Sequence, residues 1–380
     1  MLVAVSTVMD TVAHVRRYVE GNLAGGVDHV VVFLDKPSGE GQGEVAEYLE
    51  AHPRVTCVRA GGQWWGGQRP DQLNVRQCTN AGVAKHALAA TGHPEAWVLH
   101  CDGDEIARVD VGVLDAVPAE QVAVRLATRE AVSRGDWPGE PTLFKRELDD
   151  DELALLEGLG LLGTATNQAY FRGHVMGKQA GRAGSPTWLT LHKVVDEDRQ
   201  PVAPFEHPSL ELFHYESYSA DDFARKWIAM VASGPRASYR SDRRSVADTL
   251  RALISRDLPA DALERALRRY YARFVEEDAA ALRDVGVLVE CDPLLPRDAG
   301  GGGPLDEQTT SALGAAIEEW RGQDKKQHFN GVSAAKPAAK PAAKPGARPG
   351  KGASGSGDGE SAGGRRERAG LSGALRSLRG

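Results

Sequence analysis

The feature that most constrains this chain's fold is a repeated alternation of short apolar runs with helix-period segments in its N-terminal third. The run His29-Val30-Val31-Val32-Phe33-Leu34 shows no polar alternation and reads as a strand covered on both faces. Residues 2–6, 55–58 and 96–101 read the same way. Between the first two, Val12, Val15, Val19 and Leu23 recur at helical spacing, with Asp10 or Thr11 as the cap and Gly25-Gly26 as the stop. A second helix passes through Val45, Tyr48 and Leu49, and a third runs from about 71 to 90. This pattern predicts an α/β fold: a Rossmann-like, mostly parallel sheet flanked by helices. Ligands on such sheets sit at the carboxyl ends of the strands. Asp10, Asp35, Asp102 and Asp104 all fall just past a predicted strand end, so they are expected to converge on one edge.

The stretch Trp97-Val98-Leu99-His100-Cys101-Asp102-Gly103-Asp104-Glu105 ends an apolar strand in three carboxylates. Crowding negative charge at the mouth of a buried strand is costly unless a cation or polar ligand offsets it. The Asp-x-Asp pair therefore points to Mn2+ or Mg2+ and, through it, to a phosphate-bearing substrate. The bland alternative is a solvent-exposed acidic turn.

Beyond this the pattern loosens. Residues 122–127, 169–172, 188–195 and 210–214 read as strands, and 147–162 as an acidic, leucine-rich surface helix or excursion. Residues 221–231 read as a helix with Phe223, Trp227 and Ile228 on one face. Leu263, Leu267, Tyr270, Phe274 and Leu282 mark a longer one. The expected organisation is a sheet domain over 1–230, a helical extension over 231–330 and a disordered Ala-, Lys-, Pro- and Gly-rich tail over 331–380. The net charge of −7 is uneven: four Lys and six Arg against three acids give 331–380 a charge of +7, which leaves the rest at −14. An acidic body argues against nucleic acid as a partner. The basic tail, with Leu371, Leu375 and Leu378, could contact a membrane surface or a protein. No apolar run reaches the roughly 18 residues of a membrane span. The opening Met1-Leu2-Val3-Ala4-Val5-Ser6 reads as a strand rather than a signal peptide. Cys57, Cys78, Cys101 and Cys291 form no Cys-x-x-Cys pair, which fits reduced thiols and a cytoplasmic protein.

In this context the chain resembles a family 2-type glycosyltransferase of the GT-A class. The resemblance lies in Met9-Asp10, Gly26-Val27-Asp28-His29 and Trp97 through Glu105. It continues in Gly177-Lys178 with Arg182, Leu191-His192, and Phe213-His214-Tyr215 followed by Ser217, Phe223 and Lys226. It covers about residues 2–230. Two departures stand out: the family's Asn-Glu pair is Met9-Asp10 here, and its Asp-Asn after the second strand is Asp35-Lys36.

The resemblance implies a transferase that moves a sugar from a nucleotide-sugar donor to a glycan or other hydroxyl acceptor, with inversion. Asp104 with Asp102 would hold the metal, and His214 or His192 could complete its shell. Asp102 could reach the ribose instead. Asp10 and Asp35 would contact base and ribose, and Gln77 and Asn80 could face the same pocket. Lys178 and Arg182 would add charge on the phosphates. Trp64-Trp65, between glycine pairs, could stack on a base or anchor a packed loop. Inversion needs a general base, for which Glu130 and Asp136 are the candidates, with Glu206 a further option. A non-catalytic GT-A-like module that binds a nucleotide or glycan, or scaffolds partners, is the alternative. A nucleotidyltransferase would need a Gly-rich basic loop after the first strand, and Ser6-Thr7-Val8-Met9-Asp10 has neither glycine nor base.

Overall fold

The computed structural model describes residues 1–232, 244–256, 258–296 and 303–329. Its first third follows the sequence pattern. In chain order it contains β1 (Leu2–Val8), α1 (Val12–Ala24), β2 (His29–Leu34), α2 (Gln42–Ala51), β3 (Val55–Arg59), α3 (Leu73–Ala90) and β4 (Trp97–His100). The four strands are parallel, in the order β3-β2-β1-β4. Both faces are apolar because both are covered. Leu2, Ala4 and Val8 of β1 pack with Val15 and Val19 of α1 and Val45 and Leu49 of α2. Val3 and Val5 point the other way and pack with Ala84, Ala87 and Leu88 of α3. Thr11, not Asp10, caps α1: its side chain accepts from the His14 N–H.

Only four residues separate β4 from the next strand, β5 (Glu105–Val109). That is too short for a parallel crossover, which takes about a dozen residues. β5 therefore leaves the parallel row and pairs antiparallel with a late strand. The chain continues through α4 (Val111–Asp115), β6 (Ala123–Ala131), β7 (Leu143–Lys145), α5 (Asp150–Gly158), α6 (Asn167–Tyr170), β8 (Lys178–Arg182), β9 (Trp188–Leu189), β10 (Val194–Val195) and β11 (Phe205–His214). The helices α7 (Ala220–Ala232), α8 (Arg244–Ile254), α9 (Ala260–Phe274) and α10 (Ala279–Asp284), the strand β12 (Leu288–Glu290) and α11 (Glu307–Glu318) complete it. β8 pairs antiparallel with both β4 and β6, β7 with β6, and β12 with β7. β11 lies parallel to β6 and antiparallel to β5. The fold is α/β as expected, but the expected mostly parallel sheet is corrected to a mixed one, because the four-residue link from β4 to β5 carries no crossover helix and β8, β7 and β12 pair antiparallel.

Three local expectations also change. Residues 169–172 lie at a helical turn, α6, and the extended residue after it. Residues 188–195 split into the β9–β10 hairpin. The long helix expected through Leu282 breaks after Phe274, and Asp278 caps α10 by accepting from the Ala281 N–H. The described residues belong to one compact unit spanning Met1–Val332. The boundary expected at 230 falls inside α7, which shares an apolar cluster with α8 and α9 built on Phe223, Trp227, Leu250, Leu267 and Tyr271. α11 lays Leu313 and Ile317 on the α3 face of the sheet. The expected tail lies outside the described residues. Among the described residues, no helix is long and apolar enough to cross a membrane.

Candidate active site

The turn between β4 and β5 carries the acid cluster. Main-chain bonds from Asp35 N to Val8 O and from Cys101 N to Val5 O align the ends of β2, β1 and β4 at this edge. Asp102 accepts from Gln77 Nε2 at 2.6 Å and from Lys178 Nζ at 2.7 Å, and its side chain is 32% exposed. Glu105 is buried. It accepts from the Asp102 N–H at 2.8 Å and lies 3.3 Å from Lys178 Nζ. It orders the turn and binds one ammonium jointly with Asp102. Burial opposes charge on all three groups. It is overcome at Lys178, where the two carboxylates raise the pKa, and at Asp102, where Lys178 lowers it. At Glu105 burial prevails, with Asp102 and Asp104 adding to it, and pushes the carboxyl up to about 7 against the pull of Lys178. Lys178 reaches this position because the turn into β8 runs through Gly177, whose φ of +66° and approach to Leu126 O leave no room for a Cβ.

The second Asp of the pair faces a different set. Asp104, His214 and Glu216 offer one ligand atom each, all within 4.8 Å of one another. His214 Nε2 stands 3.8 Å from Asp104 Oδ2 and 3.7 Å from Glu216 Oε2. Those separations are beyond hydrogen-bond reach, yet the imidazole is almost fully buried. Pairing of β11 with β5 delivers His214 opposite Glu105, and the Tyr215 N–H donates to Asp104 O at 2.9 Å. Two residues on, Ser217 has a φ of +51°, and the Tyr271 hydroxyl of α9 donates to its carbonyl at 2.8 Å. A non-glycine residue in the left-handed region, held from another element, is a stored strain of the kind found at functional sites. Lys226 Nζ on α7 bridges Asp104 Oδ2 at 2.8 Å and Glu216 Oε2 at 2.6 Å. Burial opposes its charge, and the two carboxylates outweigh burial and raise its pKa. Two carboxylates and an imidazole form a mixed oxygen–nitrogen donor set. Such a set fits a first-row divalent ion such as Mn2+ better than Mg2+, which prefers oxygen and water.

The expected residues divide into three groups. Gln77, Lys178, Asp102, Asp104 and His214 come together as described. Asp10 also reaches this edge: it shares a small cavity with Asp104, His14, Asp222 and Arg225, and accepts from His14 Nδ1 at 2.9 Å and Arg225 Nη1 at 3.0 Å. Burial opposes its ionisation, and His14 and Arg225 outweigh it and lower its pKa.

Three assignments are corrected. Arg182 lies at the opposite end of β8 from Lys178, beside Trp97 at the start of β4. That places it about 13 Å along the strand, where it donates to the carbonyls of Glu95, Val117 and Gln121. Asp35 is buried, with both oxygens taken by Arg76 (2.8 and 2.9 Å) and Arg69 (2.6 Å), so it braces the loop before α3 rather than facing a nucleoside. Glu130 is fully buried and saturated by Lys145 Nζ at 2.7 Å and the N–H groups of Arg172 and Gly173, so no acceptor can reach it.

The rest lie apart. Asp136 is exposed on the loop after β6. Glu206 sits at the far end of β11 from His214, paired with Arg125. His192 donates from Nδ1 to Gly177 O (3.1 Å) and packs on His174. Burial, with Lys178 and His174, drives its pKa down to about 3. Trp64 is buried, bonded to Asn80 and covered by Lys325 at 4.2 Å from its ring, so the tryptophan loop is packed.

Sequence reasoning missed Glu216 and the bridging role of Lys226. The available signal was an acid two residues past a strand-end histidine, with a lysine ten residues on along a helix. No protein-family model matches this chain, and no curated protein sequence does either.

Proposed function

We propose that the chain is a divalent-cation-dependent glycosyltransferase with a GT-A-type site, acting on a nucleotide-sugar donor and a hydroxyl acceptor. The observation that carries this reading is the Asp104–His214–Glu216 set at the carboxyl edge of the parallel strands, two residues along the chain from an Asp102 fixed by Lys178 and Gln77. Asp104, His214 and Glu216 would hold Mn2+, which supplies Lewis-acid stabilisation to a leaving diphosphate. Lys178 and Gln77 hold Asp102 so that its exposed edge presents free lone pairs to a sugar hydroxyl. Asp10 shapes the adjoining cavity. The test is hydrolysis or transfer across a panel of nucleotide sugars with and without Mn2+. Metal-dependent turnover of at least one donor supports the reading, and no turnover or binding of any donor with Mn2+ present defeats it.

One observation favours a second reading, a nucleotide- or glycan-binding module without turnover. Glu130 and Asp35, which the resemblance would place against acceptor and nucleoside, are both sealed in ion pairs. That reading expects saturable binding of a nucleotide sugar with no product formed.

A further inference from the structure

The two carboxylates of the cation site already share a cation supplied by the chain. Lys226 Nζ lies 2.8 Å from Asp104 Oδ2 and 2.6 Å from Glu216 Oε2. These are the same oxygen atoms that lie nearest His214 Nε2. Both contacts are charge-assisted hydrogen bonds. A metal ion bound at about 2.0–2.2 Å from these oxygens would sit where the ammonium now makes its bonds. Two positive charges cannot share that space, so lysine and ion are alternative occupants. Lys226 is built to leave: its side chain is 28% exposed and hangs on a flexible four-carbon stem from α7. His214 points the same way. It is buried at the rim of the cluster without a hydrogen bond to either carboxylate, a poor place for an imidazole unless another occupant of the cluster engages it.

We infer that Lys226 is the resident counter-ion of this site. It holds Asp104 and Glu216 together while no metal is bound, and an arriving divalent cation must displace it. The inference rests on the cation-dependent reading above. It implies that the site's affinity is set by competition, and that the charge of Lys226 lowers metal affinity even though the residue touches both carboxylate ligands.

Mn2+ binding by the full chain, followed through the paramagnetic resonance of the free ion, tests this in wild type, Lys226→Met, Lys226→Gln and Lys226→Arg. Removing the competing charge is expected to tighten Mn2+ binding by about tenfold in the Met and Gln variants, while Arg leaves it equal to wild type or weaker. A second readout is the melting temperature. Without metal the Met and Gln variants should melt below wild type, since two carboxylates lose the ammonium they share, and saturating Mn2+ should raise their melting point by more than it raises that of wild type. Should Lys226→Met fail to fold, the Gln variant, which keeps a hydrogen-bond donor, decides alone. Equal or weaker Mn2+ binding in the folded neutral variants overturns the inference. If wild type still binds Mn2+ in that case, and Glu216→Gln weakens it, the cation site itself stands. If none of the proteins binds Mn2+, the cation site and the inference fall together.

Discussion

At Glu130 a carboxylate with no solvent exposure is neutralised by Lys145, which also pairs with Glu277 at 2.8 Å, and its Oε2 lies 3.9 Å from His214 Nδ1. Gly173 packs so closely on both that a Cβ there would overlap the imidazole and the carboxylate. The group backs His214 from inside, while Nε2 faces Asp104 and Glu216. Glu216→Gln and His214→Ala should each weaken Mn2+ binding by at least about tenfold, since each removes a donor from a three-donor set. A calorimetric titration checks this, and unchanged affinity in both would remove them from the site. Arg182 predicts the opposite pattern. Arg182→Met strands several half-buried carbonyls, so it should cost about 2–3 kcal/mol of stability in urea melts, yet leave Mn2+ affinity untouched because the site lies at the other end of β8.

Elements decide which side chains can meet. β8 runs antiparallel to β4, so its first residue, Lys178, stands beside the acid turn and its last, Arg182, beside the start of β4. The turn into β8 depends on Gly177. Gly177→Ala combines a left-handed φ with a Cβ that would overlap Leu126 O, so it should destabilise the protein by more than about 2 kcal/mol. It should also loosen Lys178 from Asp102, read as a weaker affinity for any nucleotide sugar that wild type binds. α7 plays a double part. Its apolar face, Phe223 and Trp227, packs in the cluster shared with α8 and α9, while Arg225 and Lys226 reach Asp10 and Asp104. The site is therefore half sheet edge and half helix face, with Tyr271 of α9 tying the two together through Ser217.

Over the whole molecule, several histidines are buried as neutral rings. Burial holds His29, His100 and His328 down to about 4, from an ordinary 6.5. Between those values the unfolded chain binds protons that the folded chain does not. The stability these rings contribute is complete above about pH 6.5 and is lost as the pH falls through about 4. Glu105 works in the opposite sense: its carboxyl is raised to about 7, so its contribution is complete below about 4.5 and lost as pH rises through 7. These three rings, with His192 held down to about 3, outweigh one carboxyl. The melting temperature should fall by about 5–10 °C from pH 7 to pH 4.5, measured by thermal melts in matched ionic strength. A flat profile would show that these rings titrate freely in the fold.

Sequence alone determined the parallel core, because its signals are local: β-branched runs, helical spacing, a cap at Asp10 or Thr11 and a stop at Gly25-Gly26. It also located the acid turn, since three carboxylates ending an apolar strand are visible in one short stretch. What it could not show is which charges are open and which are already spent. Asp35 and Glu130 look available until Arg69, Arg76 and Lys145 arrive from other elements. Asp104 looks like half of an Asp-x-Asp pair until pairing of β11 with β5 and packing of α7 bring His214, Glu216 and Lys226 to it from more than a hundred residues away. Charge is compensated in space rather than along the chain, so only the tertiary structure decided which carboxylates brace the fold and which gather with His214 at the sheet edge.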